Sequence, residues 1–378
     1  MRRSRMTLAL AAGVVAVATP GRVRGQDSVG AGGTSRVQVA GHSLNVVPGF
    51  AVDVYAEGLR GARFMTLGPD GAPYLSLARQ GRVVKLPDAN GDGRADSVIT
   101  VARSLNLPHG LAFRGDTLYV AETHQVVRFV PRSATPQVVV PDLPHGSGHF
   151  TRTIVFGPAD GKLYVSVGSS CNICDESDPR RAAVLRFNPD GSGAEIFTRG
   201  LRNSVGLAFD PATGELWGTN NDRDLLGDDL PPDRINVLRQ GGDYGWPRCY
   251  LPGHANPEYA NADCSHLAAP AITFQAHSAP LGIAFSTGRQ FPPEYRGGAF
   301  VAFHGSWNRS VPTGFKVVYV RQQDGGPLAI TDFVTGFLPD GAAEPWARPV
   351  GVLVATDGSL LVSDDSGGRI FRVHYIGH

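Results

Sequence analysis

The chain has 378 residues, including 48 Gly and 28 Pro, with 42% hydrophobic residues and 35 basic against 34 acidic side chains. Gly and Pro cost a helix interior roughly 1 and 3 kcal/mol each, which excludes a helix bundle, while the missing G-X-Y period excludes collagen and the apolar fraction excludes global disorder. Balanced charge leaves no general attraction for nucleic acid or an anionic membrane, and with only Lys85, Lys162 and Lys316 as lysines, almost every cation is an arginine suited to carboxylates and phosphates.

Residues 1–25 read as a secretory signal peptide: Arg2, Arg3 and Arg5 precede an apolar run from Met6 to Ala18 that is too short to span a bilayer. Cleavage sites are offered by Ala16-Val17-Ala18 and by Gly25. An uncleaved anchor is the alternative. Residues 26–40, rich in Gly and Ser, are expected to be a flexible leader, and 41–378 the globular domain. No later segment approaches membrane-spanning length, so the mature protein is expected to lack stable membrane insertion and to be periplasmic or secreted.

The segment FAVDVYAEGL (50–59) alternates like a strand. After it, a pattern of apolar strand, Gly or Asp turn and second apolar strand recurs six times. Copies include FMTLGPDGAPYLSL (64–77), GLAFRGDTLYVAE (110–122), IVFGPADGKLYVSVG (154–168), GLAFDPATGELWGTNN (206–221), GIAFSTGRQFPPEYRGGAFVAF (282–303) and GVLVATDGSLLVSDD (351–365). Their second strands align on Tyr74, Tyr119, Tyr164, Trp217, Phe300 and Leu361. A lone antiparallel meander cannot bury both faces, and radial repetition solves this, so the expected fold is all-β, a six-bladed β-propeller. Two stacked β-sandwiches would not produce in-phase copies. The stretch 50–59 is expected to close the ring against the last blade.

Loops between copies carry the candidate chemistry, in chain order. His109 lies in LPHGLAF. The connection HGSGHFTRT (145–153) presents His149 beside glycines, a histidine able to serve as general base or simply as a surface residue. Cys171-Asn-Ile-Cys174 and the pair Cys249 and Cys264 allow three connectivities; structural disulfides are favoured over a redox or metal motif, since no second CxxC completes a zinc site and no His follows for haem. Arg202 and Asn203 sit at a turn entering the fourth copy, as a clamp for carboxylate or quinone oxygens or as a buried tie between blades. The loop NNDRDLLGDDLPPDRIN (220–236) gathers oxygen ligands of the kind Ca2+ takes, without EF-hand spacing. Trp307 and Arg309 in HGSWNRS and Arg348 in EPWARPVG complete the set, which the repeat allows to converge at one mouth of the channel.

From about Val46 onward the sequence resembles the soluble pyrroloquinoline quinone (PQQ) dependent glucose/sorbosone dehydrogenases, notably the sorbosone dehydrogenase-like branch. The resemblance is carried by GHFTRT, SVGSSCNIC, GLRNSVGLAFDPATGELW, LGDDLPPDRINVLRQGGDYGWP and HGSWNRSVPTGFKVV. It implies a six-bladed propeller holding PQQ and Ca2+ over its channel, and oxidation of an aldose or aldehyde sugar by hydride transfer to PQQ. His149 is then the catalytic base. Arg202, Asn203, His109, Arg348, Trp307 and Arg309 are the cofactor contacts, with Arg309 or Trp307 standing where the family has a lysine. Asn221, Asp222, Arg223, Asp224, Asp228 and Asp229 supply the metal loop, partly through backbone carbonyls. With no haem motif in the chain, electrons would pass to an external acceptor, a small quinone or cytochrome. The protein would be a monomer or homodimer. A Ca2+-dependent lactonase-like propeller and a propeller that only binds are the alternatives.

Overall fold

The computed structural model describes residues 33–131, 133, 135–322 and 328–377. The expected signal peptide, and the first part of the expected leader, lie outside the described residues. Among the described residues six blade sheets follow one another along the chain, antiparallel except where Gly242–Asp243 adds in parallel to blade 3, and a seventh, two-stranded sheet pairs Cys249–Leu251 with His254–Ala255. Blade 1 is built from Ala62–Leu67, Pro73–Leu77, Arg82–Lys85 and Ile99–Ala102, and blade 2 from Leu111–Arg114, Thr117–Ala121, Val126–Phe129 and Gln137–Val140. Blade 3 runs from Ile154–Phe156 to Glu195–Arg199, blade 4 from Leu207–Phe209 to Ile272–Phe274 and blade 5 from Pro280–Phe285 to Leu328–Thr335.

Blade 6 joins both ends of the domain. Its strands Pro349–Val354, Leu360–Asp364 and Arg369–Tyr375 take Phe50–Ala56 as the fourth, antiparallel to Arg369–Tyr375. This is the ring closure expected from the alternation at 50–59. All six alignment residues, Tyr74 to Leu361, fall in the second strand of their blade. Those strands are nearly wholly buried, as in Leu163–Val167, Ala299–Phe303 and Leu360–Asp364, because each lies in a sheet covered on both faces by neighbouring blades.

The recurrent glycine of the copies has a steric cause. A Cβ on Gly110, Gly282 or Gly351 would stand 2.6, 2.6 and 2.7 Å from a carbonyl oxygen in or just before the next blade's first strand, and one on Gly206 closer still. Hydroxyls in the second strands complete the junctions. Thr219 Oγ1 accepts from Gly206 N and donates to Leu281 O, both at 2.8 Å, and Ser76 and Ser363 bridge blades 1 to 2 and 6 to 1 in the same way.

Part of the expected flexible leader is ordered structure. Ser35–Val39 pairs with His42–Val46 through a turn in which Ala40 and Gly41 both have positive φ (52° and 79°), the backbone that a two-residue hairpin requires. The hairpin extends blade 5 at Asn45 and Val46 and buries Val39, Leu44 and Val46. Burial of this alternating apolar set makes Ser35–Val46 part of the packed domain. Both local cysteine pairs, Cys171–Cys174 and Cys249–Cys264, are disulfides. No helix among the described residues is long and apolar enough to cross a membrane.

Candidate active site

In an antiparallel meander the start of the first strand and the end of the second share one edge, so loops at those positions meet at one end of the ring. A cleft of about 420 Å³ is formed there. It is lined by Arg63 at the start of blade 1, His149 to Thr151 before blade 3, Arg202 and Asn203 before blade 4 and Asn221, Asp222 and Asp224 after its second strand. His277 before blade 5, His304, Trp307 and Asn308 after its second strand and Arg348 before blade 6 complete the wall, with Asp233 at the floor.

Two buried arginines hold the His149 loop. Arg152 donates to the carbonyls of His149 (2.9 Å), Thr151 (2.7 Å) and Pro144, and Arg181 to those of His145, Ser147 and Gly168. His149 Nδ1 lies 3.0 Å from Ser169 O and 3.1 Å from Ser169 Oγ, whose own hydrogen goes to Cys171 O. Both neighbours are therefore acceptors, so Nδ1 carries the proton and Nε2 keeps its lone pair. Burial first, and then the positive charges of Arg202, Arg152 and Arg181, push the His149 pKa down to about 3. The ring is neutral at every physiological pH, the form a base requires.

Arg202 is almost saturated: Nε donates to Asn172 O, Nη1 to Asp222 O, and Nη2 to both Asn172 Oδ1 and Asp224 Oδ2. Asp224 also accepts from Asn308 Nδ2 at 3.0 Å. The amide oxygens of Asn203 and Asn308 are buried without a hydrogen-bond partner. On the opposite wall Asp365 accepts from Arg63 (2.8 Å) and from His304 Nε2 (3.0 Å). Although burial pushes the Asp365 carboxyl up, those two partners more than offset it and hold it well below the usual carboxylate range. Arg348 is fixed by the carbonyls of His304 and Gly305 and lies over the Phe315 ring.

Several of the sequence candidates stand elsewhere. His109 is fully buried behind the wall, between Arg63 Nη2 (3.4 Å) and Thr153 Oγ1 (3.3 Å), so it braces Arg63 instead of facing the cleft. Arg223 turns outward to Glu258 and Asn256. Arg309 is consumed by the carbonyls of Asp228, Val311 and Ala276, Asp228 caps Ser310, and Asp229 faces Arg309 at 3.8 Å. Of the six residues expected to supply the metal loop, Asn221, Asp222 and Asp224 reach the cleft. Arg63, His304, Asp365 and His277 were not among the candidates; Arg63 stands at the start of a first strand and Asp365 just after a second.

The buried histidines predict acid lability. His109 and His304, like His149, have folded pKa values lowered chiefly by burial. As pH falls below about 6.5 the unfolded chain takes up protons that the folded state binds less readily, so each histidine loses stability as pH falls. Asp233, pushed up to about 7 by burial, works in the opposite direction, being protonated in the fold first. The three histidines outweigh it. Urea midpoints of the metal-free protein should fall between pH 7.5 and pH 5; equal midpoints would contradict this.

A propeller whose channel mouth gathers arginines, carboxylates and histidines, a neutral His149 among them, defines a class: a β-propeller with a cationic, oxygen-rich cleft. The glucose/sorbosone dehydrogenase family model matches residues 124–304, and a TrAA12-like model matches residues 251–375. The chain belongs to the glucose/sorbosone dehydrogenase family. It is 33% identical over 299 residues to an uncharacterized protein of Borreliella burgdorferi, covering 74% of this chain and 78% of that one. It is 26% identical over 408 residues to the pyrroloquinoline quinone-dependent sugar dehydrogenase of Hypocrea jecorina, covering 89% and 91%. The calcium structure of the Trichoderma reesei carbohydrate-active enzyme of family AA12 superposes with a TM-score of 0.74 at 24% identity, covering 90% of this chain and 99% of that chain.

Proposed function

We propose that the protein is a PQQ- and Ca2+-dependent dehydrogenase that oxidises an aldose or aldehyde sugar of the glucose/sorbosone type and delivers the electrons to an external acceptor, a small quinone or cytochrome. The observation that carries the proposal is His149: Nδ1 is committed to Ser169, and Nε2 has no hydrogen-bond partner among the described residues in a cleft walled by arginines.

The residues present fit the cofactor. Arg63 and Arg348 suit carboxylates, and Arg63 Nε is buried without a partner. The unpaired oxygens of Asn203 and Asn308, with the carboxylate of Asp224, suit a hard cation. Bound PQQ supplies the two-electron acceptor for hydride from the sugar carbon. His149 Nε2 takes the proton of the sugar hydroxyl, and the Nδ1 contacts to Ser169 stabilise the imidazolium so formed. Arg152 and Arg181 keep that ring in place. Asp365 holds Arg63, and the His304 and Gly305 carbonyls hold Arg348. Several guanidinium groups facing one cleft favour this reading over a lactonase-like hydrolase, whose substrates need no such set of cations.

The test is reconstitution. Metal-free protein given PQQ and Ca2+ should reduce an artificial dye with at least one sugar of an aldose panel, and omission of either component should abolish the reaction. Absence of PQQ binding together with absence of dye reduction would refute the proposal.

A further inference from the structure

The Cys171–Cys174 bridge closes a short loop that touches the cleft from outside, and the residue inside it makes an unusual number of contacts with the site. Asn172 O accepts from Arg202 Nε and from Trp246 Nε1, each at 3.2 Å. Asn172 Oδ1 accepts from Arg202 Nη2 (3.0 Å) and from Asp224 N (2.8 Å), and Nδ2 donates to Asp224 O at 3.0 Å. Just upstream, Ser169 orients His149 and is itself tied to Cys171 O. One segment, Ser169 to Cys174, therefore holds partners of both the base and the arginine.

We propose that Asn172, fixed by the Cys171–Cys174 disulfide, is a positioning residue that sets the orientation of Arg202 and Asp224 at the cleft. A guanidinium has five N–H donors in a rigid fork. Asn172 takes two of the arginine's donors through different atoms, so it constrains the plane of the group as well as its distance. The amide also clamps both backbone groups of Asp224, which places that carboxylate against Arg202 and Asn308. The bridge matters because a carbonyl and a side chain of one residue hold a partner in register only if the residue's own backbone is fixed.

The inference rests on the PQQ reading for its affinity readout, and a second readout is independent of it. In crystals of the metal-free N172A variant the Arg202 guanidinium should be displaced by about 1 Å or more, a misplacement of the size that disables sites. PQQ affinity of the folded variant should fall about tenfold or more, as for other residues that orient ligand-binding groups. N172D keeps the oxygen that accepts from Arg202 Nη2 and Asp224 N but loses the donor to Asp224 O, so it should leave Arg202 in place with a smaller loss of affinity than N172A. C171S/C174S should displace Arg202 in the same direction as N172A. A purely structural role would lower the unfolding temperature without altering the affinity of folded protein. An unmoved Arg202 or wild-type affinity in N172A would overturn the proposal, as would N172D behaving like N172A; an unmoved Arg202 in C171S/C174S would overturn the role of the bridge. If wild type itself binds no PQQ, the functional reading fails while the crystal comparison still decides the positioning role.

Discussion

His149→Ala should lower kcat by about 10²- to 10⁴-fold, the range that general-base catalysis contributes, with PQQ binding changed by less than about threefold. The two effects separate because, among the described residues, the side chain's hydrogen bonds go to the carbonyl and hydroxyl of Ser169, and none goes to Arg63, Arg202 or Arg348. The loop itself is anchored by Arg152 and Arg181 through carbonyls that the substitution leaves intact. Cofactor titration followed by steady-state dye reduction reads both quantities on one preparation. A kcat within threefold of wild type would remove His149 from the base's role.

Asp222→Ala is expected to be the most damaging single change to stability. Asp222 Oδ2 pairs with Arg234 Nη2 at 3.1 Å, with side chains 1% and 2% exposed. Among the described residues Arg234 otherwise meets the carbonyls of Tyr250 and Tyr244, and its Nε has no partner there. Removal of the carboxylate leaves a buried cation uncompensated, at a cost of about 3–5 kcal/mol. The urea unfolding midpoint should drop accordingly at unchanged m-value; a loss below about 1 kcal/mol would show that the pair is not a structural tie. The prediction also bears on the site. Asp222 lines the cleft, but its carboxylate is engaged on the blade 4 side, and it is the backbone oxygen that meets Arg202.

Much of the architecture was legible because the repeat is steric in origin. Gly110, Gly206, Gly282 and Gly351 recur in phase since each abuts the next blade, and a reader of the sequence sees the consequence of that contact as a period. The closing strand was equally readable from its alternation. The hairpin Ser35–Val39 with His42–Val46 was not, because five-residue strands among glycines and serines read in sequence as a flexible segment. In the site, loop position was readable and side-chain direction was not. Arg223 and Arg309 occupy the expected loops yet turn to Glu258 and to carbonyls that lie far away in sequence. Arg63 and Asp365 were missed for the converse reason: their pairing spans 302 positions and exists only because blade 6 abuts blade 1.

That junction has a consequence for how the molecule is made. Blade 6 cannot form until Arg369–Tyr375 is available to receive Phe50–Ala56, so the earliest and latest strands of the ring must wait for each other. Arg348, His304 and Asp365 are likewise supplied late, and the wall opposite Arg202 is assembled only with them. A nascent chain lacking its last thirty or so residues thus carries blades but no closed ring, and pairings of such long range make the final step slow. The polypeptide stays unlocked for as long as its C-terminal strand is withheld.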